Sequence, residues 1–256
     1  MNAATQTAIK GNQHMNTNRQ TTIKESKMKI TASNLIRWAG LSALLAGICY
    51  VLVGIFHPAN VLSSVTTTRW AIVHVLACAM SFFGLLGLAG LYARQSEKSG
   101  WLGLVGFVML SLWLVIIMGF SFVEALIVPS LATAVPTFVT SWMGMLNSSA
   151  SAMNLGVLPA LWTLTGPLYM FGGLLFGIAT FRAGILPRWA GVLLAIGCLL
   201  APVAAALPLE SQPKVAIPVG LALAWLGYAL WSAGREQASE PVAGSGSLQF
   251  RQTGAD

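Results

Sequence analysis

WLGLVGFVMLSLWLVIIMGFSFVEALIV, residues 101–128, is the stretch from which the fold is read. At 1.5 Å per residue it is more than long enough to cross the ~30 Å hydrocarbon layer of a bilayer as a helix. One charge interrupts it. Glu124 is the sole acidic residue inside any of the long apolar runs of the chain. A carboxylate at membrane depth costs ~2.5–3.5 kcal/mol on insertion scales, so such residues face a bundle interior and a partner.

The rest of the chain reads the same way. Of 256 residues 56% are hydrophobic and 8% charged, with mean hydropathy +0.74. A soluble surface needs about 25% charged residues, so the chain is expected to be an all-α, polytopic membrane helical bundle. Six apolar segments have spanning length: 35–56, 70–92, 101–128, 159–181, 189–207 and 215–231. The last two are bounded or interrupted by Pro202, Pro208 and Pro218.

Basic residues set the orientation, because short loops rich in Lys and Arg stay cytoplasmic. With the first tail inside, Lys10, Arg19, Lys24, Lys27, Lys29, Arg37, Arg94, Lys98, Arg182, Arg188, Arg235 and Arg251 fall on that side. Only Arg69 and Lys214 of the fourteen fall outside. This predicts six transmembrane helices, N-in/C-in. The net charge of +7 is then a topology signal. No basic patch with interleaved aromatics points to nucleic acid.

Trp38, Trp101 and Trp189 open odd-numbered spans at the cytoplasmic side, and Trp70 and Trp162 mark outer ends, as interfacial anchors do. Trp113, in mid-helix, is expected to pack between helices. Gly84, Gly87 and Gly90 close the second span, and Gly100, Gly103 and Gly106 open the third. These helix-packing glycines predict a tight hairpin between the two. Arg37-Trp38-Ala39-Gly40 is echoed by Arg188-Trp189-Ala190-Gly191, a generic way to start an anchored helix.

Residues 1–33 and 234–256 are polar and read as disordered cytoplasmic tails flanking a membrane domain of residues 34–233. Met28 offers an alternative start. Between the third and fourth spans, 129–158 is too polar and proline-punctuated to cross. Phe138, Trp142, Met145 and Leu146 recur there at helical spacing. An outer amphipathic segment is expected, as interfacial packing or as a lid over Glu124.

The candidate site is polar. The six-span arrangement brings His57, at the end of the first span, and Arg69 and His74, at the start of the second, to the depth of Glu124. The plain reading is a buried ion pair of Glu124 with Arg69 or His74. Two imidazoles and a carboxylate also suit proton or solute passage, or a metal held by His57, His74 and Glu124. Two facing histidines are also the pattern of axial haem ligation. Cys78 lies one turn from His74 and Ser81 two turns away. Cys49, Cys78 and Cys198 form no C-x-x-C pair and are expected as free thiols. Neither G-x-S-x-G nor H-E-x-x-H occurs. No catalytic residue, enzymatic activity or cofactor is expected.

His57-Pro58, Trp70 with His74, GLLGLAGLYARQ (84–95), residues 100–107, Glu124-Ala125 with Pro129, FRAGILPRWAG (181–191) and WLGYALW (225–231) occur in an order that resembles a family of uncharacterised bacterial six-span integral membrane proteins. The likeness covers residues 34–232. It implies this fold and a bacterial cytoplasmic (inner) membrane location, and it assigns no catalytic residue. The expected partner is the lipid bilayer; protein partners and a homo-oligomer stay open. Three functions remain: binding or conducting a proton or small solute, holding a metal or haem, and serving as a structural or regulatory subunit.

Overall fold

A computed structural model describes the backbone of residues 31–239 and the side chains of residues 31–233. The tails expected at 1–33 and 234–256 lie almost wholly outside the described residues. Helix α1 begins at Ala32 and the last helix runs on to Ser239; Met28 lies outside the described residues. Among those described there is no strand. Helix α1 is Ala32–Phe56, α2 a single turn at Leu62–Val65, and α3 spans Thr68–Phe122. A π turn, Val123–Ile127, leads into α4 (Val128–Ala134) and α5 (Pro136–Leu146). Then come α6 (Leu158–Ala183), α7 (Arg188–Leu199), α8 (Ala201–Ala204), a 3-10 turn (Gln212–Ala216) and α9 (Ile217–Ser239).

Four helical stretches are long and apolar enough to cross a membrane: Ala32–Phe56, Thr68–Ala134, Leu158–Ala183 and Gln212–Ala233. The second is no single rod. Its 67 residues would reach ~100 Å if straight, but Gly100 has φ 54° and ψ −153°. That region is essentially closed to residues with a Cβ, so glycine alone reverses the chain there at little cost. The limbs 68–99 and 101–134 therefore fold back on one another. Tyr92 and Phe107 stack across the hairpin at 4.8 Å, and Cys78 Sγ faces Met118 O at 3.9 Å.

Antiparallel neighbours close this hairpin into a ring. A Cβ placed on Gly87 would come within 2.5 Å of Ala43 in α1, and one on Gly106 within 2.5 Å of Phe176 in α6. Gly173 and Gly177 of α6 similarly lie against Cys198 and Gly191 of α7, Gly197 of α7 against Val219 of α9, and Gly47 of α1 against Ala224 of α9. First and last helices thus meet. Lipid tails supply no hydrophobic drive between helices, so backbone approach at small residues carries the packing.

The glycines expected to bind the hairpin limbs to each other mostly do something else. Gly84 faces the opposite limb at Leu114, and Gly103 meets the Ser99 side chain beside the reversal. Gly87 and Gly90 face Ala43 and Ala39 of α1, and Gly106 faces Phe176 of α6. A helix with neighbours on two sides spends its small residues where the backbone comes closest, and here those contacts are with α1 and α6. A second difference concerns residues 189–207. Helix α7 stops at Leu199 and covers ~18 Å, because Pro202 has no N–H to offer the carbonyl four residues earlier and its ring clashes there in a continuous helix.

Segment 129–158 folds as α4 and α5 over the end of the bundle that carries His57. Val139, Trp142 and Met143 turn one face of α5 inward against Trp70, Phe120 and Val128, while Thr137 and Thr140 stay exposed.

Candidate functional site

Glu124 sits in the π turn, and the sequence explains why the helix widens there. Pro129 lacks an N–H, and its ring clashes with the carbonyl four residues earlier in a regular helix. The Val128 N–H accordingly bonds Val123 O, five residues back. Glu124 O loses its helical donor: Val128 has turned away, and Pro129 has none to give. A π turn of this kind is frequent at functional sites.

Trp70 fills the vacancy. Its Nε1 donates to Glu124 O at 2.8 Å, and its side chain is wholly buried. Thr67 caps the start of α3 by accepting from Trp70 N at 3.2 Å, which fixes the first turn. Trp70 is therefore no interfacial anchor, in contrast to Trp38, Trp101 and Trp189, which are 65%, 81% and 69% exposed. The second holder is Trp142 of α5, whose Nε1 donates to Glu124 Oε1 at 3.3 Å.

His74 approaches from one turn below Trp70. Its Nδ1 lies 2.8 Å from Trp70 O. A carbonyl only accepts, so Nδ1 carries a proton and a neutral ring leaves Nε2 as a lone pair. Nε2 is 3.3 Å from Glu124 Oε2. The distance is that of an ion pair, yet Nε2 has no aligned hydrogen bond and is buried. Two acceptors at that distance repel, whereas one proton shared between them, on the carboxyl or on the ring, turns the contact into an attraction.

His57 completes the group without touching the carboxylate. Its ring centroid is 5.0 Å from that of His74, edge to face, and its Nδ1 donates to Pro58 O at 2.7 Å. Desolvation lowers the His57 imidazole below its usual range, opposed by the Pro58 carbonyl and assisted by the charge of Arg69. Arg69 itself donates from Nε to Phe56 O at 2.7 Å, at the frayed end of α1. The structure thus brings His57, His74 and Glu124 together and leaves Arg69 on the rim.

The pair faces a cavity of about 180 Å³ bounded by Tyr50, Trp113, Phe120, Ser121 and Trp162. A second cavity of about 260 Å³ shares Tyr50, Trp113, Ile117, Trp162 and Ala216 with it and reaches Thr165, Tyr169 and Gln212. Trp113 lies between Tyr50 and Tyr169, with ring centroids at 6.1 and 4.8 Å, as its mid-helix position implies. Cys78 and Ser81 border neither lobe; Ser81 Oγ is buried without a partner.

Among the described residues no three His, Cys, Asp or Glu side chains converge as metal ligands. His57 spends Nδ1 on Pro58 O and is held edge-on to His74, which is neither a chelating nor an axial arrangement. Cys49, Cys78 and Cys198 are free thiols. Compared with protein-family models, curated proteins and solved structures, the chain has no match.

Proposed function

We infer that this chain is an integral membrane protein that binds, and passes on, a proton or a small solute at the His74–Glu124 pair. The observation that carries this reading is the 3.3 Å contact between His74 Nε2 and Glu124 Oε2 on a cavity wall. A buried pair with one proton between two acceptors exchanges that proton whenever a competing ligand arrives. Six crossings with both termini cytoplasmic, in a bacterial inner membrane, complete the reading. The Gly100 reversal, the antiparallel ring and the twelve-to-two distribution of basic residues support it.

Tryptophan emission of the purified chain tests the site, because Trp70 and Trp142 both bond Glu124. Wild type should show a titration step that is missing in Glu124→Gln, with parallel loss of solute or proton uptake in cells expressing the variant normally. Identical titrations and identical uptake would remove the reading.

A further inference from the structure

The two lobes together reach the lower end of the roughly 300–1,000 Å³ range of small-molecule pockets. At the pair itself both polar atoms are acceptors once the shared proton is gone, while Thr165 and Gln212 on the second lobe spend their donors on Trp162 O and Leu207 O. Glu124 Oε2 is an acceptor with lone pairs to spare, and His74 Nε2 is a lone pair in the neutral ring. The Tyr169 hydroxyl, on the second lobe, is buried with no aligned partner, although Tyr50 and the Cys198 thiol lie beside it. A complementary ligand brings donors. Among the described residues, no Lys or Arg makes an ion pair with Glu124, so an anion meets uncompensated repulsion there. The remaining wall is aromatic: Tyr50, Trp113, Phe120 and Trp162. Ring faces attract a cation in a desolvated site, and Trp does so best.

We propose that this two-lobed cavity binds a primary organic ammonium, whose N–H groups replace the proton shared by His74 and Glu124 and whose apolar body lies against Trp113 and Trp162. This rests on the proposed role of the pair and adds the ligand class and the linkage. With a neutral ring and an ionised carboxylate the pair carries one negative charge, which the ammonium neutralises. The shared proton therefore leaves as the cation enters. Cation and proton compete, and by reciprocity each weakens the other. The other titratable groups nearby are His57, Cys78 and Arg69. The first two contribute no positive charge when His57 is neutral, and Arg69 is tied to Phe56 O. Lys214 shares the 3-10 turn with the cavity residues Pro213 and Ala216 but does not line either lobe.

Benzylammonium is the probe, with benzyl alcohol, benzoate and benzyltrimethylammonium as matched controls, on the full chain in detergent. Tryptophan quenching should saturate with benzylammonium, more weakly with the quaternary ion, and not with alcohol or benzoate. An indicator dye in weak buffer should report about one proton released per cation bound, and affinity should fall as pH is lowered. Glu124→Gln should weaken binding at least roughly 30-fold, and Tyr169→Phe should weaken it without abolishing proton release. Equal binding of benzylammonium and benzyl alcohol, or binding without proton release, overturns the proposal in wild type alone. If the Glu124-dependent emission step persists in that case, the proposed role of the pair stands and only the ligand class fails. If the step is also absent, both fail.

Discussion

The indole of Trp70 donates to the main-chain carbonyl of Glu124 at 2.8 Å, a carbonyl that Pro129 and the π turn have stripped of its helical donor. A residue 54 positions upstream thus repairs the backbone at the one buried acid among the described residues. A carbonyl left buried and unpaired costs ~1–3 kcal/mol. Trp70→Phe removes the N–H together with the five-membered ring of a wholly buried indole, so it should lower stability by that amount or more in denaturant titrations. Trp38→Phe, at an exposed indole, should cost less than ~0.5 kcal/mol. Equal losses would mean that the bond contributes nothing.

Gly100 and Gly119 make a matched pair. A Cβ on either meets nothing within 4 Å, so sterics with neighbours are excluded at both. Gly119 lies within regular helix, where Ala gains ~0.5–1 kcal/mol by reducing backbone entropy. Gly100 holds φ 54°, ψ −153°, where Ala loses ~1–3 kcal/mol. Gly119→Ala should raise the melting temperature and Gly100→Ala should lower it. A Gly100→Ala protein as stable as wild type would show that the reversal does not depend on that conformation.

His57 gives the fold a pH dependence of known sign. Its imidazole is held below the ordinary 6.5, first by desolvation, with Pro58 opposing and Arg69 assisting. The unfolded chain then binds more protons than the folded one just below pH 6.5, so stability rises with pH in that window. It is complete above 6.5 and is lost as pH falls towards the folded value. His57→Gln should flatten this part of the difference in melting temperature between pH 7.5 and 5.5. An unchanged difference would assign the acid sensitivity to other groups.

The sequence makes the helical class legible because apolar runs and interfacial charges follow from bilayer thickness alone. It also places His57, His74 and Glu124 together, since antiparallel segments of matched length return their ends to one depth. Its limits are equally physical. Gly87 and Gly106 signal close approach without saying to which helix, and the antiparallel ring decides that they face Ala43 and Phe176. Trp70 sits where an anchor is expected, and only the carbonyl freed by Pro129 shows why it is buried. The combination of an acid, a proline five residues later and a tryptophan at the partner limb's end was the available signal. Trp142 is legible only as part of the amphipathic segment read as interfacial packing or as a lid over Glu124, and Tyr169 gave no sign, because α5 and α6 meet the site through tertiary packing.

Pro129 and Trp70 should be coupled, and the sign of the coupling follows from where each donor goes. In Pro129→Ala the new N–H faces either Glu124 O, completing the π turn, or Ala125 O, as the chain relaxes to an α-helix in which Val128 N–H returns to Glu124 O. Either way Glu124 O regains a backbone donor. Trp70→Phe then no longer orphans it, and its cost should shrink in the Pro129→Ala background. A double-mutant cycle should give an interaction of ~0.5–3 kcal/mol, with the double variant more stable than the sum of the single losses. Strict additivity would mean that the indole and the missing proline donor are unrelated. The same cycle read by the emission titration separates geometry from stability. Relaxation to an α-helix turns the Glu124 side chain about the axis and away from His74 Nε2, so the Glu124-dependent step should weaken in Pro129→Ala even where the protein remains folded.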